Sequence, residues 1–456
     1  MGWFFSLAPQ LHPRFSHFTF FLLNVCSAFM AISCASSPMI QPQINGLVVA
    51  DRYQAAAKVL TTHPQGYGAN NELLYWLDRG LVFHLAGDYP ESILAFDQAK
   101  HLFDDLWTKS LTQEAATWLI NDYAAPYRGE DFERVMINIF QALNYIAMGE
   151  LEEALVEARD IDGQLTTINL QYPVDQKNVY KEDAFARLLM GILYEAGPTP
   201  GDWNDAFISY QKSAEIYETN YQSHYEIQIP IILKENLLTL AQGMGKEVGS
   251  MYEDKYPEIQ ILPWPEKLKM GEVYCILYTG LSPLKRERFL PIPLPDGYIT
   301  KLAFPVYESR TTEGEDLIFS AHQDQRLAVQ VPLELGEDIE GIARQNLENR
   351  KGRILAKAVA RPAGKYFLEL QEERSLKEKF GDKTARWSRY LSNMYNVYSE
   401  QADLRSWQTL PAKIHIGRLL LPPGHYTFEI NGEKLESLEI KAGQKEFLIN
   451  RLKPKL

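Results

Sequence analysis

Between residues 76 and 99 the chain carries Trp76, Gly80, Phe83, Gly87-Asp88-Tyr89, Ser92, Phe96 and Ala99, at helical spacing on either side of one short turn. Few structures accept this alternation of bulky and small residues. Two antiparallel helices do: Gly80 and Ser92 let them approach closely, while the aromatic side chains fill the space toward the next unit. Because such a pair cannot bury its second face alone, further pairs must stack on it. A second unit contains Ala142, Tyr145, Gly149-Glu150-Leu151, Ala154 and Ala158; a third contains Gly191, Tyr194, Asp202-Trp203, Ala206 and Tyr210. Pro198-Thr199-Pro200 reads as an insertion in the turn of the third unit, and Tyr53, Ala56 and Leu60 as the second helix of a degenerate first unit.

The pattern resembles the tetratricopeptide repeat. Gly80 lies 62 residues before Ala142, and Ala142 lies 49 before Gly191, against about 34 in a strict array. Extra helices are therefore expected, one near 106–120, with a closing helix over 231–251 opened by Pro230. Residues 46–255 are read as an irregular helical solenoid. Peptide-clamping tetratricopeptide domains line their groove with Lys and Asn. The equivalent positions here read Leu77, Leu81 and His84, then Ile139, Leu143 and Ile146, then Leu188, Ile192 and Glu195. An apolar groove is filled either by another helix of the same chain or by a hydrophobic partner segment. His84, on that side, is a candidate partner contact or a satisfied packing residue.

The composition changes at Tyr256. Residues 256–270 are Pro-rich and read as a linker. Beyond them come short β-type runs at 272–278, 288–294, 298–307, 327–331, 413–421, 426–430 and 435–440, with Asp296-Gly297, Pro422-Pro423-Gly424 and Asn431-Gly432 as turns. Two helices interrupt them. One spans 337–361, with Ile339, Ala343, Leu347, Ile354 and Ala358 on one face; the other carries Trp387, Tyr390, Leu391, Met394 and Val397 at helical spacing. That aromatic stripe is expected to pack on the sheet, with insertion at a membrane interface as the alternative. At 456 residues two or more domains are expected. The fold class is α+β and multidomain: an all-α tetratricopeptide-like solenoid, then a β-sandwich-like domain over 271–456 with two inserted helices.

Residues 18–33 form an apolar run preceded by Arg14 and ending in small residues, so 1–33 is read as a signal peptide. Cys34 follows, and 34–45 begins with the small, polar Ala35-Ser36-Ser37-Pro38, a tether. Cys34 is the expected lipidation site. Ala31, where lipoprotein signals usually carry Leu, together with Ser33 also suits ordinary cleavage, which leaves a secreted or soluble periplasmic protein as the alternative. Ala35 in place of Asp favours the outer membrane. Cys275 lies in a run apolar on both faces and reads as an inert buried thiol.

The formal net charge is −13, and all but one of the basic residues lie beyond Cys34 with every acidic one. Such a chain does not suit general nucleic-acid binding, which needs basic surface to displace counterions. No phosphate-loop, zincin, nucleophile-elbow or paired C-x-x-C motif occurs. The histidines are scattered without ligand spacing, so no metal and no cofactor is expected. Asp403, Arg405 and Trp407 form the one polar constellation singled out. They are either a local ion pair with an anchoring Trp or a recognition patch on the β-rich domain.

The whole chain resembles a family of Gram-negative tetratricopeptide-repeat envelope lipoproteins. The resemblance rests on the lipoprotein-like start, on the stretch 133–160 with Asn144-Tyr145, Gly149 and Glu153-Ala154-Leu155-Val156-Glu157-Ala158-Arg159, and on the tail. The tail carries 400–407, Leu410-Pro411, Gly417-Arg418 and Leu421-Pro422-Pro423-Gly424. It implies an outer-membrane lipid-anchored protein on the periplasmic face, with an envelope protein as partner and a link to cell-wall or outer-membrane maintenance. No activity comes with it. A non-enzymatic scaffold or adaptor is therefore expected, and a periplasmic enzyme or glycan-binding factor acting through the β-rich domain is the alternative.

Overall fold

The computed structural model describes residues 40–117, 123, 125–170, 180–295, 297–310 and 316–452, and the fold is mixed α/β. The expected signal peptide and Cys34 lie outside the described residues. Of the expected tether, residues 40–45 are helical, with Gln41 and Ile44 buried.

Among the described residues the longer helices before the first strand are α1 Ile40–Val49, α2 Tyr53–Thr62, α3 Glu72–Leu85, α4 Tyr89–Thr117, α5 Asp131–Met148, α6 Leu151–Leu170, α7 Ala184–Glu195, α8 Pro200–Ile216, α9 Ile231–Gly243 and α10 Lys246–Lys255. The pairs α3/α4, α5/α6 and α7/α8 pack as neighbours. Each close approach has a named cause. A Cβ on Gly80 would sit 2.4 Å from the Phe96 ring, and one on Gly191 would sit 2.2 Å from the Tyr210 ring. Ser92, Phe96, Ala99, Ala142, Ala154, Ala206 and Tyr210 are buried, Phe83 nearly so, while Trp76, Tyr89, Tyr145 and Tyr194 pack half-buried along the edge. Gly87 and Gly149 take the left-handed conformation that ends α3 and α5.

Three expected helix boundaries are corrected by local chemistry. Thr199 and Asp202 form a reciprocal capping box with Pro200 in the first turn, so Thr199 and Pro200 start α8 rather than lying in the turn before it. The stretch near 106 is not a separate helix, because α4 runs on without a break to Thr117. Finally, 231–251 is two helices, divided where Gly245 adopts φ 121°.

Strands β1 Gly271–Thr279, β7 Lys413–Leu421, β6 Glu334–Asp338 and β10 Lys445–Arg451 make one sheet in the order β10-β1-β7-β6, with β10 parallel to β1. A second sheet has the order β5-β4-β8-β9, from β5 Arg326–Pro332, β4 Ile318–Gln323, β8 Gly424–Ile430 and β9 Glu433–Ile440. Strand β1 is buried on both faces, and its alternation decides the layering. Val273, Cys275 and Leu277 join Phe319, Phe428 and Leu419 in a core between the sheets. Tyr274, Ile276 and Tyr278 point the other way, into the core of the helices. The apolar groove is thus filled by the chain's own sheet and by the segment 402–412, rather than by another helix. Residues 256–270 belong to the same contact: Ile259, Ile261 and Trp264 pack on the helical core, and Lys267 is buried.

The other long elements are a hairpin, β2 Leu284–Pro293 with β3 Ile299–Glu308, and two antiparallel helices, α11 Ile339–Phe380 and α12 Asp382–Ser399. Helix α11 continues through Pro362, past the expected end at 361. The aromatic stripe of α12 does not pack on the sheet: Trp387 is 67% exposed and Met394 53%, whereas Arg389 and Ser388 are buried.

Candidate functional site

A cavity of about 400 Å³ opens where the loop before α5, the first half of α11, the β2–β3 hairpin and residues 401–405 meet. Its lining is strongly basic. Arg128, Lys285, Arg350, Arg353, Lys357, Arg361 and Arg405 face it, against only Glu130 and Asp403.

The loop 125–130 is fixed from several sides. Gly129 adopts φ +76° and rests against the Phe103 ring, where a Cβ would come within 2.2 Å. Tyr127 donates its backbone N–H to the Asn70 carbonyl at 2.7 Å and its hydroxyl to Glu133 at 2.7 Å. Helix α11 supplies Arg350, Arg353, Lys357 and Arg361 from one face, at spacings of three or four residues. Like charges at that spacing destabilise a helix by a few tenths of a kcal/mol per pair. This face is therefore not what helix stability alone would select. Between the cations, Leu347, Ile354 and Ala358 with Ala303 and Pro305 give the cavity an apolar wall.

Both lining acids are engaged by lining cations. Glu130 receives Lys285 and Arg350. Asp403 accepts from Arg405 Nε at 2.9 Å, from Arg405 Nη2 at 2.8 Å and from the Arg405 backbone N–H at 3.0 Å. Burial alone would raise the Asp403 carboxyl, but the hydrogen bonds and charge of Arg405 outweigh it and hold it below the usual range. Arg405 also donates to the Ala125 carbonyl at 2.9 Å and lies over the Tyr123 and Tyr127 rings, tying the 401–405 segment to the loop. Burial, followed by the neighbouring charge of Arg353, lowers Arg350 to about 10. Such crowding of like charge is relieved by an anion.

Of the residues singled out in the sequence, Asp403 and Arg405 line this cavity. Trp407 does not: it is fully buried, 5.8 Å from Phe96 and 6.2 Å from Phe140 between ring centroids. His84 is also corrected as a partner contact, being 4% exposed, with Nδ1 2.6 Å from Asn144 Oδ1 and Nε2 2.9 Å from the Tyr278 hydroxyl. Burial pushes its pKa down to about 4, so a neutral imidazole bridges α3, α5 and β1. The repeat residues form the helix contacts described above, and none of them lines the cavity. The basic face of α11 was missed, although its signal is plain: residues 349–368 hold six basic residues and no acidic one in a chain of net charge −13.

Among the described residues no group of His, Cys, Asp and Glu could hold a metal ion, and the lining contains no Cys, His, Ser or Thr. The arrangement offers charge, guanidinium donors and an apolar wall. It can bind and orient an anion. No protein-family model and no curated protein matches the chain.

Proposed function

We propose that this chain is a non-enzymatic adaptor of the cell envelope, anchored by lipid at Cys34, that binds the phosphate- or carboxylate-type group of an envelope component in the basic cavity. The observation that carries this reading is the convergence of seven cationic side chains and two acidic ones on one cavity of a chain of net charge −13. A walled cavity of one sign focuses the field and raises the local concentration of counter-charge. Guanidinium forks suit planar or tetrahedral oxyanions. In this proposal a tetratricopeptide-type array carries a two-sheet sandwich, supported by the tight Gly80–Phe96 and Gly191–Tyr210 approaches and by the shared core between the sheets.

The enzyme reading has less support. The carboxyls raised furthest toward neutrality, Asp78, Glu133, Asp183 and Glu337, are sealed inside the protein rather than set in a cleft.

Titration with pyrophosphate and citrate at constant ionic strength, followed by thermal unfolding, tests the cavity. At a hundredfold excess over Kd a ligand of the native state adds about 2.7 kcal/mol. The unfolding midpoint should rise for the parent and not for Arg353→Glu/Lys357→Glu. Equal shifts in both proteins, or none in the parent, overturn the reading. For the anchor, metabolic labelling with an alkyne fatty acid should mark the parent and not Cys34→Ser.

A further inference from the structure

The α11–α12 hairpin is polar inside and apolar outside. Between its helices, Arg389 pairs with Glu373 at 3.0 Å and with Glu369 at 3.5 Å, while Lys365 bonds Glu400 at 2.5 Å and Ser399 at 3.0 Å. Facing outward on α12 are Trp387, Tyr390, Leu391, Met394 and Tyr398, between 40% and 67% exposed. Helix α11 adds Phe367 at 68% and Phe380 at 59%, and the adjoining β2–β3 hairpin adds Phe289 at 58% and Ile299 at 55%. The two hairpins touch, since Asn393 donates to the Ile299 carbonyl at 3.3 Å and Arg389 lies over the Tyr298 ring.

A water-exposed hairpin ordinarily reverses this arrangement, because burying apolar rather than ionic groups is what stabilises it. An apolar exterior over an ionic interior suits surroundings that are themselves apolar. The kinds of residue are specific as well: Trp and Tyr present an apolar ring with a polar edge, the combination that sits at the headgroup level of a bilayer. No helix among the described residues is long and apolar enough to span one. At the turn between the helices, Arg374, Lys377, Lys379, Lys383 and Arg386 are exposed, against the acids Glu372, Glu378 and Asp382. The end of the hairpin is thus net positive in an acidic chain.

We propose that the α11–α12 hairpin, with the tip of β2–β3, is a membrane-interface element that lays its aromatic stripe on an anionic bilayer surface, with the lysines of the turn against the headgroups. This stands apart from the anchor at Cys34 and from the ligand of the cavity. Along α11 the turn lies 19 residues beyond Arg361, roughly 28 Å at helical rise. One lipid headgroup therefore does not fill the cavity while the turn rests on its bilayer.

The test uses the full chain with vesicles of phosphatidylethanolamine and phosphatidylglycerol brominated on their acyl chains, which quench tryptophan on contact. Parent and Trp387→Phe are compared, so that any contribution of the leader cancels and the apolar bulk at 387 is kept. A larger quenched fraction in the parent is expected. Lys379→Gln and Lys383→Gln should each weaken binding to these vesicles roughly fivefold and leave binding to neutral vesicles unchanged. Equal quenching in parent and Trp387→Phe overturns the proposal. So does a dimer, seen by sedimentation without vesicles, that Trp387→Ser dissociates, because the stripe would then face a second copy.

Discussion

Glu133 shows how much one side chain does in this molecule. Its carboxylate accepts the Tyr127 hydroxyl at 2.7 Å, the Glu130 backbone N–H at 3.0 Å and the Trp407 backbone N–H at 2.7 Å. It thereby caps α5, holds the cavity loop and anchors the 402–412 segment. Burial raises it to about 7 even though the Trp407 and Tyr127 bonds pull the other way, and Asp78 and Asp183 are raised to about 6, burial again being the largest cause. For a carboxyl raised on folding, the stabilising contribution is fully present below its unfolded pKa and is lost as pH rises through the folded value. In denaturant unfolding these carboxyls should therefore make the protein less stable at pH 8 than at pH 5, by an amount on the order of a few kcal/mol, partly offset by His84 and His415, which burial pushes down to about 4 and which favour pH 8. Glu133→Gln should flatten part of that slope. It should also lower stability at pH 5 by about 1–3 kcal/mol, since an amide N–H₂ meets buried donors and leaves them unpaired. At Gly80 the constraint is steric: with the Phe96 ring 2.4 Å from any added Cβ, Gly80→Ala should cost about 1–3 kcal/mol in the same measurement. Gly80 was legible from the sequence because its role is local, whereas nothing near Glu133 in sequence announces that it accepts from Trp407.

Among elements, the α11–α12 hairpin departs furthest from its pattern. Periodicity over 337–361 gave a helix with an apolar face, but not that the helix continues past Pro362 or that its basic residues share a cavity. An amphipathic reading assigns the apolar stripe of α12 to the core, and here the ionic face is the inner one. The hairpin is held where Glu400 receives Lys365 at 2.5 Å and lies 3.8 Å from Arg361. Glu400→Gln leaves two buried cations without that counter-charge, a loss of about 3–5 kcal/mol. Hydrogen exchange should show it as faster exchange across 361–399, with the helices α5–α8 unaffected. Strands β4, β6 and β10 were not read, because Ile318–Gln323, Glu334–Asp338 and Lys445–Arg451 are short and mixed in polarity. Their pairing partners lie far along the chain: Glu272 opposes Lys445 in the parallel pair, and Phe319 opposes Ile430.

At the scale of the molecule, the helical half and the sheets share one core and one buried charge network. Lys267 pairs with Glu195, Lys445 with Glu272, and Arg418 reaches Glu235 at 2.6 Å and Glu272 at 3.1 Å, all across the boundary between helices and sheet or along it. Burial would raise Glu272, but Lys267, Lys445 and Arg418 hold it well below its ordinary range. Lys445→Met breaks this network and should cost about 3–5 kcal/mol. Urea unfolding of the full chain should be a single transition by both far-ultraviolet circular dichroism and tryptophan fluorescence. A 46–255 fragment, with the groove around His84, Phe96 and Phe140 uncovered, should bind a hydrophobic dye and unfold without cooperativity; a separate early transition of the β-rich half would contradict this. By itself the sequence determined what local chemistry sets: helix pairs from small residues facing aromatic ones, turns from Gly149 and Asn431-Gly432, and most strands from alternation. Only the tertiary structure decided that the groove is filled from within, that His84 and Trp407 are core, and that Arg353 and Lys357 stand beside Asp403 and Arg405. Those outcomes depend on which distant faces meet, and faces of like polarity are interchangeable until the chain closes on itself.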